Sequence, residues 1–236
     1  MRLIYIKTLR VNKFCLLVVA AALAMSFYCL SSVTALNKTV PATSWAVANR
    51  LIVIDPGHGG IDPGAVGHNG LLEKELVLDI GKRMQNILNQ AGADVIMTRT
   101  TDIELNRQKR EDLSMRVGMA NSKNADLYIS IHVNSFPSSR WRGAQTFYQK
   151  NQPESKKLAE AIQSELIRVM KNTTRKAKPE DYYTTRNTKM PAVIVEIGFI
   201  SNPAEAKLMS ENEYQRKLAY AIYSGIAKYY AEKTSN

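Results

Sequence analysis

The sequence predicts an α/β domain, and three observations carry that expectation. From residue 51 onward, short apolar runs alternate with amphipathic stretches of helical period, the pattern of strands joined by crossover helices. The first run, IVID at 52–55, passes into a Gly/Pro-rich loop and then a helix start, a place where binding and catalytic groups collect on the rim of a rigid sheet. Finally, 236 residues that are 45% hydrophobic and 22% charged suit one ordinary globular domain plus an extra segment.

The extra segment comes first. Arg2, Lys7, Arg10 and Lys13 precede an uncharged run at 14–37, so residues 1–36 are expected to be an export signal or a membrane anchor. Val33-Thr34-Ala35 offers a small-residue cleavage site, whereas an anchor needs about 20 apolar residues, which the run just supplies. In either case the basic flank keeps the start cytoplasmic and sends the rest outward. Cys15 and Cys29 both lie in this segment, leaving the exported part without a thiol. A metal there must therefore sit on histidine and carboxylate. The formal net charge is +11, and four of the positive charges fall in the first 13 residues. The remaining basic surface favours polyanions, which outside the cytoplasm are wall polymers or lipid head groups and not nucleic acid.

Residues 37–49 have no clear period and are expected to be a linker, with the domain proper at 50–236 and no internal repeat. A strand at 51–54 is followed by a helix at 73–90, whose Leu76, Ile80, Met84, Ile87 and Leu88 share one face and whose stop is Gly92. Next come a strand at 94–98, a helix at 111–122 and a strand at 127–132. A Ser/Pro loop at 134–142 leads to a strand at 143–148 and a helix at 153–170. A basic loop at 171–181, a strand at 182–186 and the most apolar strand, 192–197, precede one or two closing helices at 203–232.

Three ionisable side chains mark strand ends: His58 after the first, His132 closing YISIH, and Glu196 in VIVEIG. The C-terminal ends of parallel strands share a rim, so these residues can converge, and Glu73 opens the helix that leaves the same rim. Two histidines and a carboxylate leave zinc an open position for water, and a further carboxylate can act as the base. Each signal has a plain structural alternative: a hydrogen-bonded histidine, or a carboxylate that favours a helix start. Glu196 is the hardest to dismiss, because a carboxylate between Val195 and Ile197 is costly unless paired or metal-bound. His68 is expected to be a loop residue outside the site. Residue types alone fit either glutamate as ligand and the other as base.

The segments IVIDPGHGGIDPGAVG, LLEKE, ISIHVNS, NTKMPAVIVEIGFISNP and EYQRKLAYAIYSGI resemble, in unbroken order, the zinc-dependent N-acetylmuramoyl-L-alanine amidases of bacterial cell walls. The resemblance implies Zn2+ held by His58, Glu73 and His132, with Glu196 as the catalytic glutamate. It also implies a six-stranded, mostly parallel twisted sheet with helices on both faces, and peptidoglycan as substrate. A narrower likeness, carried by KREDLSMRVGMAN, HVNSFPSSRWRGAQTFY and NTTRKAK, is to the germination-specific amidases that act on spore cortex on the route to muramic δ-lactam. Regulated family members carry an inhibitory helix between the last histidine and the catalytic glutamate. Here recognisable elements fill that interval, so control is expected from timing or an accessory protein. Rival readings are a vegetative cell-wall amidase, a carboxypeptidase-like enzyme with Arg99 or Arg186 clamping a terminal carboxylate, and a non-catalytic wall-binding module.

Overall fold

In the computed structural model, which describes residues 19–26, 42–68 and 70–234, the predicted alternation becomes one six-stranded sheet. Its strands are β1 (Leu51–Pro56), β2 (Asp94–Met97), β3 (Leu127–Asn134), β4 (Gln145–Tyr148), β5 (Lys178–Pro179) and β6 (Ala192–Phe199). They lie in the order β2-β1-β3-β6-β4-β5. The first four are parallel, β4 runs against β6, and β5 runs parallel to β4. The helices are α1 (Glu73–Gln90), α2 (Lys109–Ser122), α3 (Pro153–Met170), α4 (Tyr183–Asn187), α5 (Pro203–Met209) and α6 (Asn212–Thr234).

Alternation along the strands divides the residues between two unequal faces. Ile52, Ile54, Ile129, Ile131, Val193 and Val195 point into the main core, which the apolar stripes of α1, α3 and α6 complete. On the opposite face Val53, Tyr128 and Ala192 join Ala120 of α2 in a much smaller cluster. This second face is covered only in part. The chain moves from β1 to β2 on one side, then returns through α2 to β3 on the other, so the order reverses between β1 and β3. A crevice opens at the C-terminal ends of strands at such a switch point.

Two expectations are corrected. Residues 182–186 are not a strand: Tyr183–Asn187 form α4, and the sixth strand is the two-residue β5 inside the stretch expected to be a loop. Aromatic and β-branched residues favour strands only where a pleated surface awaits them. Here Asn121 of α2 instead donates to Asn187 O at 3.0 Å and accepts from Lys189 N at 2.9 Å, fixing α4 against α2. The helix α2 also starts two residues early, at Lys109.

Within the stretch read as linker, Ala42–Val47 forms a 3-10 turn with Val47 fully buried, so the compact unit starts at Ala42. The signal or anchor at 1–36 lies outside the described residues except for 19–26, which are helical. Among the described residues no helix is long and apolar enough to cross a membrane.

Gly225 lets α6 lie against α3, since a Cβ there would fall on the Ile162 backbone, 2.8 Å from its nitrogen. Gly225→Ala should lower stability by about 1–3 kcal/mol through overpacking. Urea denaturation reads it as a lower midpoint with an unchanged slope.

Candidate active site

His58 sits in the loop after β1, and its φ of 62° is one that few non-glycine residues adopt. The backbone around it is held by two buried guanidinium groups. Arg116 of α2 donates to Pro56 O at 2.9 Å and His58 O at 2.7 Å. Arg99 donates to Pro56 O at 3.0 Å and Gly57 O at 2.8 Å. Arg116 is placed in turn by Asp55 at 2.9 Å and Asp112 at 2.5 Å. The other donors to the Asp55 carboxylate are Thr98 Oγ1 at 2.7 Å, Tyr128 OH at 2.5 Å and Ser130 Oγ at 2.8 Å. Burial pushes the Asp55 carboxyl up, but Arg116 and the three hydroxyls prevail and hold it at about 2.

The four predicted site residues come together. Glu73, the first residue of α1, points its Oε1 between the two imidazoles, 3.2 Å from His58 Nε2 and 3.0 Å from His132 Nδ1. Val133 N donates to the same oxygen at 2.8 Å, and Ala65 N donates to Oε2 at 2.8 Å. The candidate ligand atoms of His58, Glu73 and His132 all lie within 4.8 Å of one another. Two glycines make this closeness possible. A Cβ on Gly57 would lie 2.6 Å from His132 Nε2, and one on Gly64 would lie 2.6 Å from Glu73 Oε2. His58 Nδ1 faces Asp62 Oδ2 at 2.9 Å, the outer carboxylate that commonly orients a ligating imidazole.

Glu196 is the register partner of His132 across β3 and β6, so both side chains project from the same face. Its surroundings differ from those of Glu73. Burial raises the Glu73 pKa, yet the two imidazoles outweigh it and hold the group well below the usual carboxylate range. For Glu196, burial and then the Glu73 charge outweigh the imidazoles and push it up to about 7. Its Oε2 is enclosed with no hydrogen-bond partner. Burial lowers the His132 pKa, but Glu73 prevails and raises it. A cleft runs past His58, His132 and Glu196, walled by Leu113 of α2, Ile194, and Tyr182 and Tyr183 at the start of α4.

The N-acetylmuramoyl-L-alanine amidase family model matches residues 52–228, which span every strand and all four of these side chains. The chain belongs to this amidase family. Cleavage of the amide between N-acetylmuramic acid and L-alanine is its activity. The germination-specific N-acetylmuramoyl-L-alanine amidase of Bacillus subtilis (strain 168) is 46% identical over 206 residues, 84% of this chain and 86% of that one. The CwlD amidase from Clostridioides difficile, solved in complex with the GerS lipoprotein, has a TM-score of 0.76 at 39% identity, covering 78% of this chain and 100% of that one. The catalytic domain of CwlV from Bacillus (Paenibacillus) polymyxa var. colistinus gives 0.70 at 33% identity, covering 76% and 97%.

Sequence reasoning missed part of the amidase site: the Asp55, Arg116 and Asp62 side chains that position His58. The costly-carboxylate argument made for Glu196 applies equally to Asp55 in IVID, and would have found it. Neither candidate clamp for a substrate terminus is available in the cleft. Arg99 is buried and spends its guanidinium on four backbone carbonyls, while Arg186 pairs with Asp181 at 2.6 Å in solvent. His68 is exposed, as expected.

Asp55→Ala leaves a buried guanidinium short of one partner. It should cost about 3 kcal/mol, the low end for a broken buried pair because Asp112 still faces Arg116. Since the folded pKa of Asp55 is depressed, its contribution is complete above the unfolded value of about 4 and is lost as pH falls toward 2. Urea midpoints at pH 7 and pH 2.5 should therefore differ less for the variant than for the parent.

Proposed function

We propose that His58, Glu73 and His132 hold a zinc ion and that Glu196 moves the protons while the amidase cuts the bond between the lactyl carbonyl of muramic acid and L-alanine. The observation that carries this reading is the contrast between the two glutamates that flank His132. Glu73 is ionised and aimed between two imidazoles, whereas Glu196 keeps an unpartnered oxygen and a pKa near neutrality. Ligands are deprotonated groups and general acid-base catalysts are poised near working pH, so the contrast favours Glu73 as ligand and Glu196 as proton shuttle.

The donor set suits the metal. A neutral imidazole has one N–H, yet His58 faces carboxylates from both ring nitrogens. A cation on Nε2 resolves that frustration and leaves Nδ1–H for Asp62. Two histidines and one carboxylate also leave a tetrahedral ion one open position. When bound, zinc polarises the scissile carbonyl and brings the pKa of a water to about 7. Glu196 accepts a proton from the attacking water and delivers it to the departing amine of L-alanine. Asp62 and the Val133 and Ala65 amides fix the rings and carboxylate throughout.

The relatives and the N-terminal segment support one substrate compartment. The 46% identity to a germination-specific amidase supports spore-cortex peptidoglycan on the route to muramic δ-lactam. Residues 1–36 support action outside the cytoplasmic membrane, with attachment to it where the segment stays uncleaved. The lipoprotein partner of the Clostridioides difficile enzyme supports an accessory protein for this one. Loss of the gene product should leave cortex without muramic δ-lactam while vegetative growth proceeds. Mass spectrometry of cortex fragments reads the outcome, and a septation defect with normal cortex would assign the enzyme to the vegetative wall instead.

Zinc content and turnover on purified peptidoglycan test the two glutamates side by side. Glu196→Gln should keep near-stoichiometric zinc and lose at least about 100-fold in kcat. Glu73→Gln should lose the metal. A metal-free Glu196→Gln beside a zinc-loaded, inactive Glu73→Gln would reverse the roles.

A further inference from the structure

We propose that Trp141, Phe136 and Arg175 form a subsite for the glycan strand, seating a saccharide next to the muramic acid whose amide is cut. This rests on the amidase activity and adds to it a second point of substrate contact. Its position is set by the reversal of β4. Because β4 runs against β6, the loop that enters β4 arrives on the rim where β3 and β6 end. Gln145 is the register partner of Glu196, which is the partner of His132. Directly opposed residues project from the same face of a sheet, so His132, Glu196 and Gln145 form a row across three strands. Arg175 Nη1 donates to Gln145 Oε1 at 3.3 Å, extending the row away from the metal ligands.

At the end of that row lies an aromatic platform. The Arg175 guanidinium stands 5.3 Å from the Trp141 ring and 5.0 Å from the Phe199 ring, and Phe136 meets Trp141 edge-on at 5.5 Å. The loop bearing it is fixed by hydrogen bonds. Phe136 N donates to Ser201 Oγ at 3.0 Å, Asn202 Nδ2 donates to Ser139 O at 2.8 Å, and Gly143 N donates to Glu205 Oε1 at 2.9 Å. Despite that anchoring, Trp141 is 45% exposed and Phe136 51% exposed. Two large rings held rigidly in water, against the hydrophobic effect, mark a surface that another molecule covers.

The chemistry selects the occupant. A pyranose ring offers a face of C–H groups edged by hydroxyls, which matches an indole face beside hydrogen-bonding groups. Acidic stem peptides would engage the arginines but have no use for an open indole face. Phe199 lies three positions beyond Glu196, about 10 Å of strand at 3.3 Å per residue, so the platform stands clear of His58, Glu73 and His132 and leaves the muramic acid its own space. The strand's neighbouring stem peptides bring carboxylates toward Arg140, Arg142 and Arg175, all of one sign.

Two substrates with the same stem peptide separate the possibilities: a single muramoyl-peptide without glycan extension, and an oligomeric glycan strand. Trp141→Ala should lose about tenfold in kcat/KM on the strand, mainly through KM, the scale of one lost stacking contact. On the single muramoyl-peptide it should match the parent. Trp141→Phe should recover most of the loss, and thermal melting should show both variants folded like the parent. Equal losses on both substrates would overturn the subsite in favour of a stem-peptide or structural role. No loss on either would overturn it outright. A parent enzyme inert on both would sink the amidase reading itself, a failure distinct from that of the platform.

Discussion

One buried carboxylate, Asp55, constrains everything around the catalytic loop. An ionised group at the end of an apolar strand must be neutralised, and the partner is Arg116, reached from a helix 61 positions away in sequence. Having been brought under the loop, Arg116 joins Arg99 in drawing the carbonyls of residues 56–58 inward. With those carbonyls turned in, His58 takes its left-handed backbone and presents its ring to His132, 5.0 Å away and nearly perpendicular. Two guanidinium groups share this small volume. Burial and then the charge of Arg116 depress the Arg99 pKa to about 10, a measure of how much positive charge the loop accommodates. A buried ionic network of this kind is weak evidence for stability and stronger evidence for a fixed geometry.

That fixed geometry lets one site run two opposed carboxylates. Glu73 receives both imidazoles and two backbone amides, all of which stabilise its charge. Glu196, one strand across from His132, is raised by burial and by the Glu73 charge, which outweigh the two imidazoles. Environments that push paired titratable groups apart are how a single site supplies both a fixed anion and a proton carrier near neutral pH. The separation arises from strand register and helix position, not from any difference in residue type.

Much of this was legible in the sequence. Parallel strand ends share a rim, so His58, His132 and Glu196 could be brought together from their positions alone, and Glu73 followed from the helix start. Which glutamate does what was not legible from residue types. The assignment proposed above rests on the resemblance and on the contrast between the surroundings of Glu73 and Glu196. The Asp55 and Arg116 pair stayed hidden because pairing across 61 residues depends on which face of α2 meets the sheet, and that helix has no clear apolar stripe to reveal it. Residues 182–186 were misread for a related reason. Their strand propensity was overruled where the segment closed into α4, whose end at Asn187 and the following Lys189 are held by Asn121, a residue whose position only the folded chain defines.

Reversing β4 changes how the rim is built. In an all-parallel sheet, every loop on the productive rim leads out of a strand. Turning β4 around makes the loop at 135–144 lead out of β3 and into β4 on that one rim, with hydrogen bonds to Ser201, Asn202 and Glu205 at the root of α5. Phe136 and Trp141 therefore reach solvent from a loop whose covalent root is the strand that carries His132 and whose far side rests on α5.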